Sequence, residues 1–319
     1  RAVGVPVTAR GAGTSCAGNA VGTGLILDTS RHLNSIREID AEAGTARVEP
    51  GVVQSSLQAA AAKHGLRFGP DPSTQNRCTI GGMIGNNACG PRALSYGKTS
   101  DNVVALEVIT GAGDRITLDQ SSDHDHHASL VALKSIVQEN LGTIRTEFGR
   151  FGRQVSGYSV EHLLPENHFD VPRFLAGTEG TLAVIIGATL RLVADPAYKI
   201  MIALGYPTMA DAADAAPLLL DHHPTACEGL DRRIVDVVRR TKGDAAVPRL
   251  PRGDGWIFVE LAGDALRRTG SLRLAADDEE RDELRSEFEV LREDGFEAEW
   301  RTDLVGGRFP SAILHPEDA

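Results

Sequence analysis

The chain of 319 residues contains no uninterrupted apolar run of about 18 residues, so no membrane-spanning helix is encoded. It has no basic excess either. Lys and Arg together number 33 against 44 Asp and Glu, a net charge of −11, which argues against a nucleic-acid binder with its basic face. Cysteine is scarce: Cys16, Cys78, Cys89 and Cys227 are widely spaced and form no CxxC pair. A zinc or iron–sulfur site built within this chain is therefore not expected, and reduced thiols of a cytosolic protein are. No secretory signal is visible, although a chain that starts at Arg1 makes that absence say little. Two phosphate-binding fingerprints are also missing. Gly11-Ala12-Gly13-Thr14-Ser15-Cys16 has Cys16 where a GxGxxG motif needs its third glycine, and the chain runs on through glycines into a strand, not a long helix. No Gly-Lys-Ser/Thr step of a P-loop follows it.

What is present is glycine, 34 residues of it, set between short β-rich runs. Val5 to Thr8, Leu25 to Asp28, Ile36 to Ile39 and Ala46 to Val48 read as strands, with a tight loop over Arg10 to Ser15. Val53 to His64 reads as a helix closed by Gly65. Val103 to Thr110 and Arg115 to Leu118 read as a hairpin, and Leu130, Leu133, Ile136 and Val137 mark an amphipathic helix. Leu182 to Leu192 reads as a buried strand. Asp195-Pro196 is the expected domain boundary, giving domains over 1–195 and 196–319.

The second part reads as strand (Lys199 to Gly205), helix (Met209 to Leu220), strand (Cys227 to Leu230), helix (Asp231 to Arg240), strand (Trp256 to Ala262) and a charged helix (Glu279 to Asp294). That order fits an antiparallel sheet with helices on one face, as in ferredoxin-like domains. The His124-Asp125-His126-His127 cluster and the His222-His223 pair sit in polar stretches and read as solvated loops, so no metal ligand is assigned.

The segment from Pro70 to Gly90, PDPSTQNRCTIGGMIGNNACG, carries the most chemistry. Pro70 and Pro72 fix φ and withhold donors, so it reads as a shaped loop and neither a helix nor a central strand. Its glycines allow close backbone approach to a ligand, and Thr79, Asn86 and Asn87 supply neutral hydrogen-bonding groups without a strong base or nucleophile. This suits a large, polar, phosphate-bearing cofactor. A long glycine-rich turn between strands is the alternative. Successive N–H groups over Arg10 to Ser15 offer an anion-binding nest that needs no helix.

Three segments, Pro6–Gly18 (PVTARGAGTSCAG), Pro70–Gly90 and Gly177–Ile185 (GTEGTLAVI), fall in the order of the vanillyl-alcohol oxidase/p-cresol methylhydroxylase superfamily. YGKTSDNV from Tyr96 and SGYSVEHLL from Ser156 lie between them. The chain resembles most the FAD-linked 2-hydroxyacid dehydrogenases of that superfamily, the branch of D-lactate dehydrogenases and the glycolate oxidase flavin subunit. The resemblance is specific over about the first 195 residues and looser beyond, where HPTACEGLD and LPRGDGW look like the start of a cap domain.

The resemblance implies an α+β fold, a p-cresol methylhydroxylase-type FAD-binding domain followed by part of a ferredoxin-like cap. It also implies a set of cofactor contacts. Arg10, Gly11, Ala12, Gly13, Thr14 and Ser15 would cradle the pyrophosphate, with Gly18 holding the turn open. Pro70, Asp71, Pro72 and Ser73, with Thr79, Ile80, Gly81 and Gly82, would follow the ribityl chain and the isoalloxazine edge. Asn86, Asn87 and Gly90 would lie near the phosphates or support that loop, Tyr96 and Gly97 would belong to the same site, and Glu179, Gly180 and Ile185 would serve the adenosine end. At each single glycine or asparagine, turn-making and direct contact both stay open.

A histidine that tethers FAD in some members is missing at Gly13-Thr14-Ser15, so the FAD is expected to be non-covalent, with a Cys16 thioether the other reading. The implied chemistry is hydride transfer from a D-2-hydroxyacid to flavin N5, with D-lactate first and D-2-hydroxyglutarate or glycolate behind. An oxidase using oxygen and a flavin-binding module inactive alone are the competing readings. Arg232, Arg233, Arg249 and Arg252 are the arginines available as a carboxylate clamp, and none is assigned. The family's histidine-rich HxGDGNxH-type segment does not occur, so the catalytic residues are left unassigned and the chain reads as an internal portion of a longer polypeptide. Relatives of that kind often carry an iron–sulfur domain as electron acceptor on the same chain. A cytoplasmic location, or peripheral association with a membrane, is the matching expectation.

Overall fold

The computed structural model describes residues 4–119, 127–152 and 157–263, the backbone of 271–275, 299–301 and 311–315, and the single positions 282, 285 and 289. The polar loop carrying His124 to His126 lies outside the described residues. So does the charged helix expected over Glu279 to Asp294, of which Asp282, Arg285 and Glu289 alone are described, each as helical. Two compact units divide the chain, Arg1–Asp195 and Pro196–Ala319.

In the first unit, β1 (Val7–Arg10) pairs in parallel with β2 (Leu25–Asp28). The strand expected at Val5 begins two residues later and takes in Arg10. Then come β3 (Ile36–Asp40), β4 (Thr45–Val48), α1 (Gln54–Ala62), β5 (Leu66–Arg67), α2 (Ile80–Asn86) and α3 (Ala93–Tyr96). The hairpin β6 (Val103–Thr110) and β7 (Arg115–Asp119) is followed by α4 (Ala128–Glu139), α5 (Leu141–Glu147) and α6 (Val171–Leu175), then β8 (Ala183–Arg191) and β9 (Val193–Ala194). A five-stranded antiparallel sheet runs β3-β4-β8-β6-β7, and β5 pairs with β9.

The sheet has the two-faced pattern of an antiparallel layer. Val48, Leu106, Val108, Ile116, Leu118 and Leu190 turn inward and are buried together with Leu57, Ile80, Met83, Ile84 and Phe174 of the helices. The outer face is a charge ladder: Glu107 takes Arg37 at 2.9 Å and Arg115 at 2.9 Å.

α2 departs from the sequence reading. The second half of the Pro70–Gly90 segment is helical, not loop. Thr79 caps it, its hydroxyl accepting from Gly82 N at 3.3 Å. Ile80, Met83 and Ile84, at i, i+3 and i+4, are buried with 0%, 1% and 0% exposure. That burial outweighs the poor helix propensity of Gly81, Gly82 and Gly85. Asn87 ends the helix at φ 50°, a left-handed position that asparagine tolerates.

In the second unit β10 (Tyr198–Tyr206), α7 (Met209–Leu220), β11 (Ala226–Asp231), α8 (Arg232–Lys242) and β12 (Gly255–Gly263) follow in order. The strands form an antiparallel sheet β10-β12-β11. Leu204, Ile257 and Val259 on one face pack with Ala212, Ala215 and Leu219 of α7. A separate sheet joins β13 (Ser271–Ala275), β14 (Glu299–Arg301) and β15 (Ser311–His315) in the order β13-β15-β14.

One titratable group ties the first unit's stability to pH. His162 has a side chain 12% exposed, and burial, with the positive charge of Arg173 adding to it, holds its pKa down from 6.5 to about 4. It lines neither of the cavities described below, so its neutrality belongs to packing. The unfolded chain binds the extra proton between those two values. Stability from this group is therefore complete above pH 6.5 and is lost as pH falls toward about 4. Thermal melts from pH 7 to pH 4 are expected to fall by an amount on the order of 2 kcal/mol, and His162→Gln is expected to flatten that fall.

Candidate functional site

Three chain segments distant in sequence close around one cleft of about 280 Å³ in the first unit. The first is Ala9 to Ser15 at the end of β1. Thr29 fixes it, since both its N–H (3.0 Å) and its hydroxyl (3.3 Å) donate to the Arg10 carbonyl. The second is Pro72 to Cys89, running through α2. The third is Glu179 to Ile185, leading into β8.

Glycine makes the approach possible. A Cβ on Gly11 would lie 2.1 Å from the Thr79 hydroxyl oxygen, and one on Gly81 would lie 2.6 Å from the Pro50 side chain. Both contacts are far inside van der Waals range, so the first segment meets the second at Thr79, and α2 meets Pro50, only because those side chains are missing. The second and third segments are joined by backbone. Gly177 N donates to Ile84 O at 2.8 Å, and Glu179 N donates to Gly85 O at 2.9 Å. These bonds tie the C-terminal end of α2 to the third segment, Ile84 O accepting from Asn87 N at 3.1 Å as well. Asn86 Nδ2 adds a side-chain bond to Glu179 Oε1 at 2.8 Å.

A second cavity of about 450 Å³ shares Asn86, Ala88, Cys89 and Glu179 with the first and extends to Asn87, Tyr158, Ser159 and Thr181. The Tyr158 and Thr181 hydroxyls are hydrogen-bonded at 2.8 Å.

Of the residues expected at a site, Arg10, Gly11, Ala12, Gly13, Thr14, Ser15, Pro72, Thr79, Gly81, Gly82, Asn86, Glu179, Gly180 and Ile185 line the first cleft, and Asn87 lines the second cavity. The others stand behind or beside these walls. Ile80 is in the core with 0% exposure. Pro70 accepts from Gln54 Nε2 at 3.1 Å, and buried Asp71 holds Arg92 at 2.7 Å. A Cβ on Gly90 would meet the Asp71 carbonyl at 2.3 Å, so Gly90 seats that pair. The Tyr96 ring packs under Arg67, Gly97 turns at φ +75°, Ser73 is exposed, and Gly18 turns at φ +79° with open space around it.

Sequence reasoning did not nominate Pro50, Thr29, Cys78 or Cys89, which also line the cleft. Pro50 follows β4 in a Pro-Gly step, a local turn signal that says nothing of a distant partner. Burial pushes the Cys78 thiol up from its ordinary pKa, which leaves it protonated near neutrality. Cys16 is exposed and lines neither cavity.

Charge is sparse here. Among the described residues, Arg10 and Glu179 are the charged side chains of the first cleft, and Glu179 is that of the second. Elsewhere, Arg232 is engaged by Asp254 at 2.6 Å and Arg233 by Asp231 at 2.8 Å. Arg249 and Arg252 are exposed. No group of three or more His, Cys, Asp or Glu arranged to hold a metal occurs among the described residues.

Residues 1–119 match the family described as "FAD binding domain", and residues 195–297 match "FAD linked oxidases, C-terminal domain". The chain thus carries an FAD-binding domain followed by the C-terminal domain of FAD-linked oxidases. FAD is the cofactor these matches imply. The chain is 34% identical to a D-2-hydroxyglutarate dehydrogenase of Pseudomonas putida over 82% of its own length and 28% of that protein's. It is 34% identical to a D-lactate dehydrogenase of Archaeoglobus fulgidus, over 77% of this chain and 46% of that one. It is also 32% identical to glycolate oxidase subunit GlcD of Bacillus subtilis, over 73% and 42%. The chain thus spans less than half the length of these relatives. Among solved structures, an alkyldihydroxyacetonephosphate synthase superposes with a TM-score of 0.57 at 17% identity, covering 92% of this chain and 50% of that one. That likeness shows the fold. No described helix is long and apolar enough to cross a membrane.

The residues present fit an FAD molecule. Backbone and small neutral side chains form the walls, the two glycines admit no Cβ where segments meet, and one guanidinium lies in the first loop. The second cavity falls in the size range of ligand sites, and the first lies just below it. Gly11→Ala is the sharpest probe of this arrangement. The added methyl must displace Thr79, which also caps α2. We expect a stability loss of about 1–2 kcal/mol in chemical denaturation, together with weaker FAD uptake followed by flavin fluorescence. Gly142→Ala in α5, whose Cβ meets nothing within 4 Å and which lines neither cavity, is expected to leave the uptake nearly unchanged.

Proposed function

We propose that this chain binds FAD non-covalently in the first unit and takes part in oxidising a D-2-hydroxyacid to the 2-oxoacid. The observation that carries the reading is the chemistry of the cleft. Its walls offer many backbone and neutral polar groups and two charged side chains, which suits holding a cofactor rather than performing acid–base or nucleophilic work. Bound FAD supplies a two-electron acceptor, and the protein supplies position and electrostatics. Arg10 and the N–H groups of Gly11 to Ser15 would neutralise the pyrophosphate, and Pro72 with Thr79 to Gly82 would hold the redox end. Cys16, exposed and away from the lining, supports a dissociable cofactor. The second unit, residues 196–319, would serve as the cap over the substrate.

Relatives named for D-2-hydroxyglutarate and for D-lactate are equally similar, at 34% identity each. D-lactate and D-2-hydroxyglutarate are therefore the two acids the reading favours. An iron–sulfur domain or another acceptor would take the electrons onward.

Anaerobic mixing of the FAD-loaded protein with D- and L-2-hydroxyacids tests the reading. Bleaching of the visible flavin band by the D-acids alone is expected, as is release of the flavin into the supernatant on acid precipitation. Bound FAD that no acid bleaches would reduce the role to a flavin-binding module, and no FAD uptake would overturn the proposal. Reoxidation by oxygen at the rate of turnover would mark an oxidase.

A further inference from the structure

His162 lines neither cavity, yet the packing that keeps it neutral is bonded to the walls of the second one. It lies in a short helical turn, Val160–Leu163, directly after Tyr158 and Ser159, which line that cavity. A second turn, Thr99–Asn102, holds Asn87 and Ala88, also of the lining. Thr99 donates to Ala88 O from its N–H at 2.9 Å and its hydroxyl at 2.6 Å, and Ser100 N donates to Asn87 Oδ1 at 2.9 Å. The third element is α6. Its Leu175 O accepts from the hydroxyl of Thr178, a lining residue, at 2.8 Å.

These three elements meet in one cluster of charged groups around His162. Asp101 of the second turn pairs with Arg173 of α6 and accepts from Lys98 N at 2.8 Å. Asp170 caps α6, accepting from Arg173 N at 2.9 Å, and its own N–H donates to the His162 carbonyl at 2.9 Å. α4 and α5 also pack on the histidine's turn, but their charged groups, Lys134, Glu139, Arg145 and Glu147, are exposed. Burial, Arg173 and Lys98 disfavour a proton on the ring and outweigh Asp170 and Asp101. A switch also needs a second state. Glu161 Oε1 is 4.0 Å from His162 Nε2, and Glu161 Oε2 is buried with no hydrogen-bond partner among the described residues. A protonated imidazole has two N–H donors. By moving toward Glu161 it gains an anionic partner, and that movement pulls on the turn that starts at Ser159.

We propose that protonation of His162 unlocks this cluster, so that the walls of the second cavity loosen together in acid and the cavity gives up its ligand. The loosening is a property of the free protein. Its effect on the cofactor rests on the FAD reading. The sign follows from the burial: the closed walls hold the ring at about 4, whereas an opened cluster returns it toward 6.5. Closure is therefore fully favoured above pH 6.5 and loses ground as pH falls toward about 4. Between pH 7 and pH 5 the ratio of open to closed walls rises by about 20-fold.

Amide hydrogen exchange on the free protein at pH 7 and pH 5, corrected for intrinsic rates, is the test. The Thr99, Leu164 and Asp170 amides, bonded to Ala88 O, Glu161 O and His162 O, report the cluster, and those of Leu106 and Val108 in β6 report global unfolding. The cluster amides are expected to be less protected than β6 at pH 7 and to lose about 20-fold more protection at pH 5. In His162→Gln that loss is expected to vanish. Should this variant not fold, Glu161→Gln asks the same question from the partner's side, and the loss is expected to shrink by about 3-fold. Cluster amides that exchange only together with β6 overturn the proposal, as does a loss unchanged in the variants. FAD titrated at the same two pH values is expected to bind more weakly at pH 5, by up to the same factor, in the wild type and not in His162→Gln. No FAD uptake at pH 7 sinks the FAD reading instead, while the exchange data on the free protein still decide the switch.

Discussion

The structure of the first unit depends on how α2 is tied at both ends. At its start, Thr79 caps the helix while Ile80 N and Gly81 N donate to Val52 O at 2.8 Å and Pro50 O at 2.7 Å. At its end, Ile84 O and Gly85 O receive Gly177 N and Glu179 N. A seven-residue helix with three glycines would not persist in isolation. Here it is stable because its apolar side packs on the five-stranded sheet and its end groups are bonded to segments that line the cleft. The core, the helix and the cleft therefore form together. Loosening any of the three shifts groups that face the cofactor.

Where the sequence reading succeeded, it did so on local signals. The strands β2, β4, β6, β7, β10 and β12 stand close to where alternation and turn residues put them. α2 was missed because Pro70 and Pro72 set the expectation for the whole segment, while the burial that makes its second half helical is a tertiary effect. Pro50 was missed for a related reason. Its partner, Gly81, lies about thirty residues on, and no local pattern links a turn proline to a helix start. The Asn86–Glu179 bond spans 93 residues and joins two motifs that sequence had placed at one site without showing which atoms meet.

The polar groups of the first unit divide into two populations. On the outer face of the sheet, Glu107 with Arg37 and Arg115 forms a half-exposed ladder, where each pair contributes about 0–1 kcal/mol. Inside, Asp71 with Arg92 is different. The Asp71 side chain is 6% exposed and also accepts from Arg92 N at 3.1 Å. It sits where the proline-rich stretch leaves the cleft, and losing one partner there would strand a buried charge. Charge in this unit is thus either solvated on the far face or paired behind the cleft wall, and the cleft itself is left nearly neutral.

That near-neutrality explains why so few residues stand out as functional. A site that performed proton transfer with its own side chains would show a histidine or a carboxylate of shifted pKa among its walls. His162 has such a shift, from 6.5 to about 4, but it lines neither cavity. The two left-handed residues of the walls other than glycine make the contrast sharper. Asn87 caps α2 at little conformational cost, and its side chain braces Ser100. Glu179 takes a similar backbone at a cost of about 1–2 kcal/mol, and its one described hydrogen bond, to Asn86, is exposed. An exposed bond of that kind does not offset the strain in the free protein. The strain therefore stays in the wall of the cleft, beside Gly177 and Gly180, which take left-handed backbone without that cost.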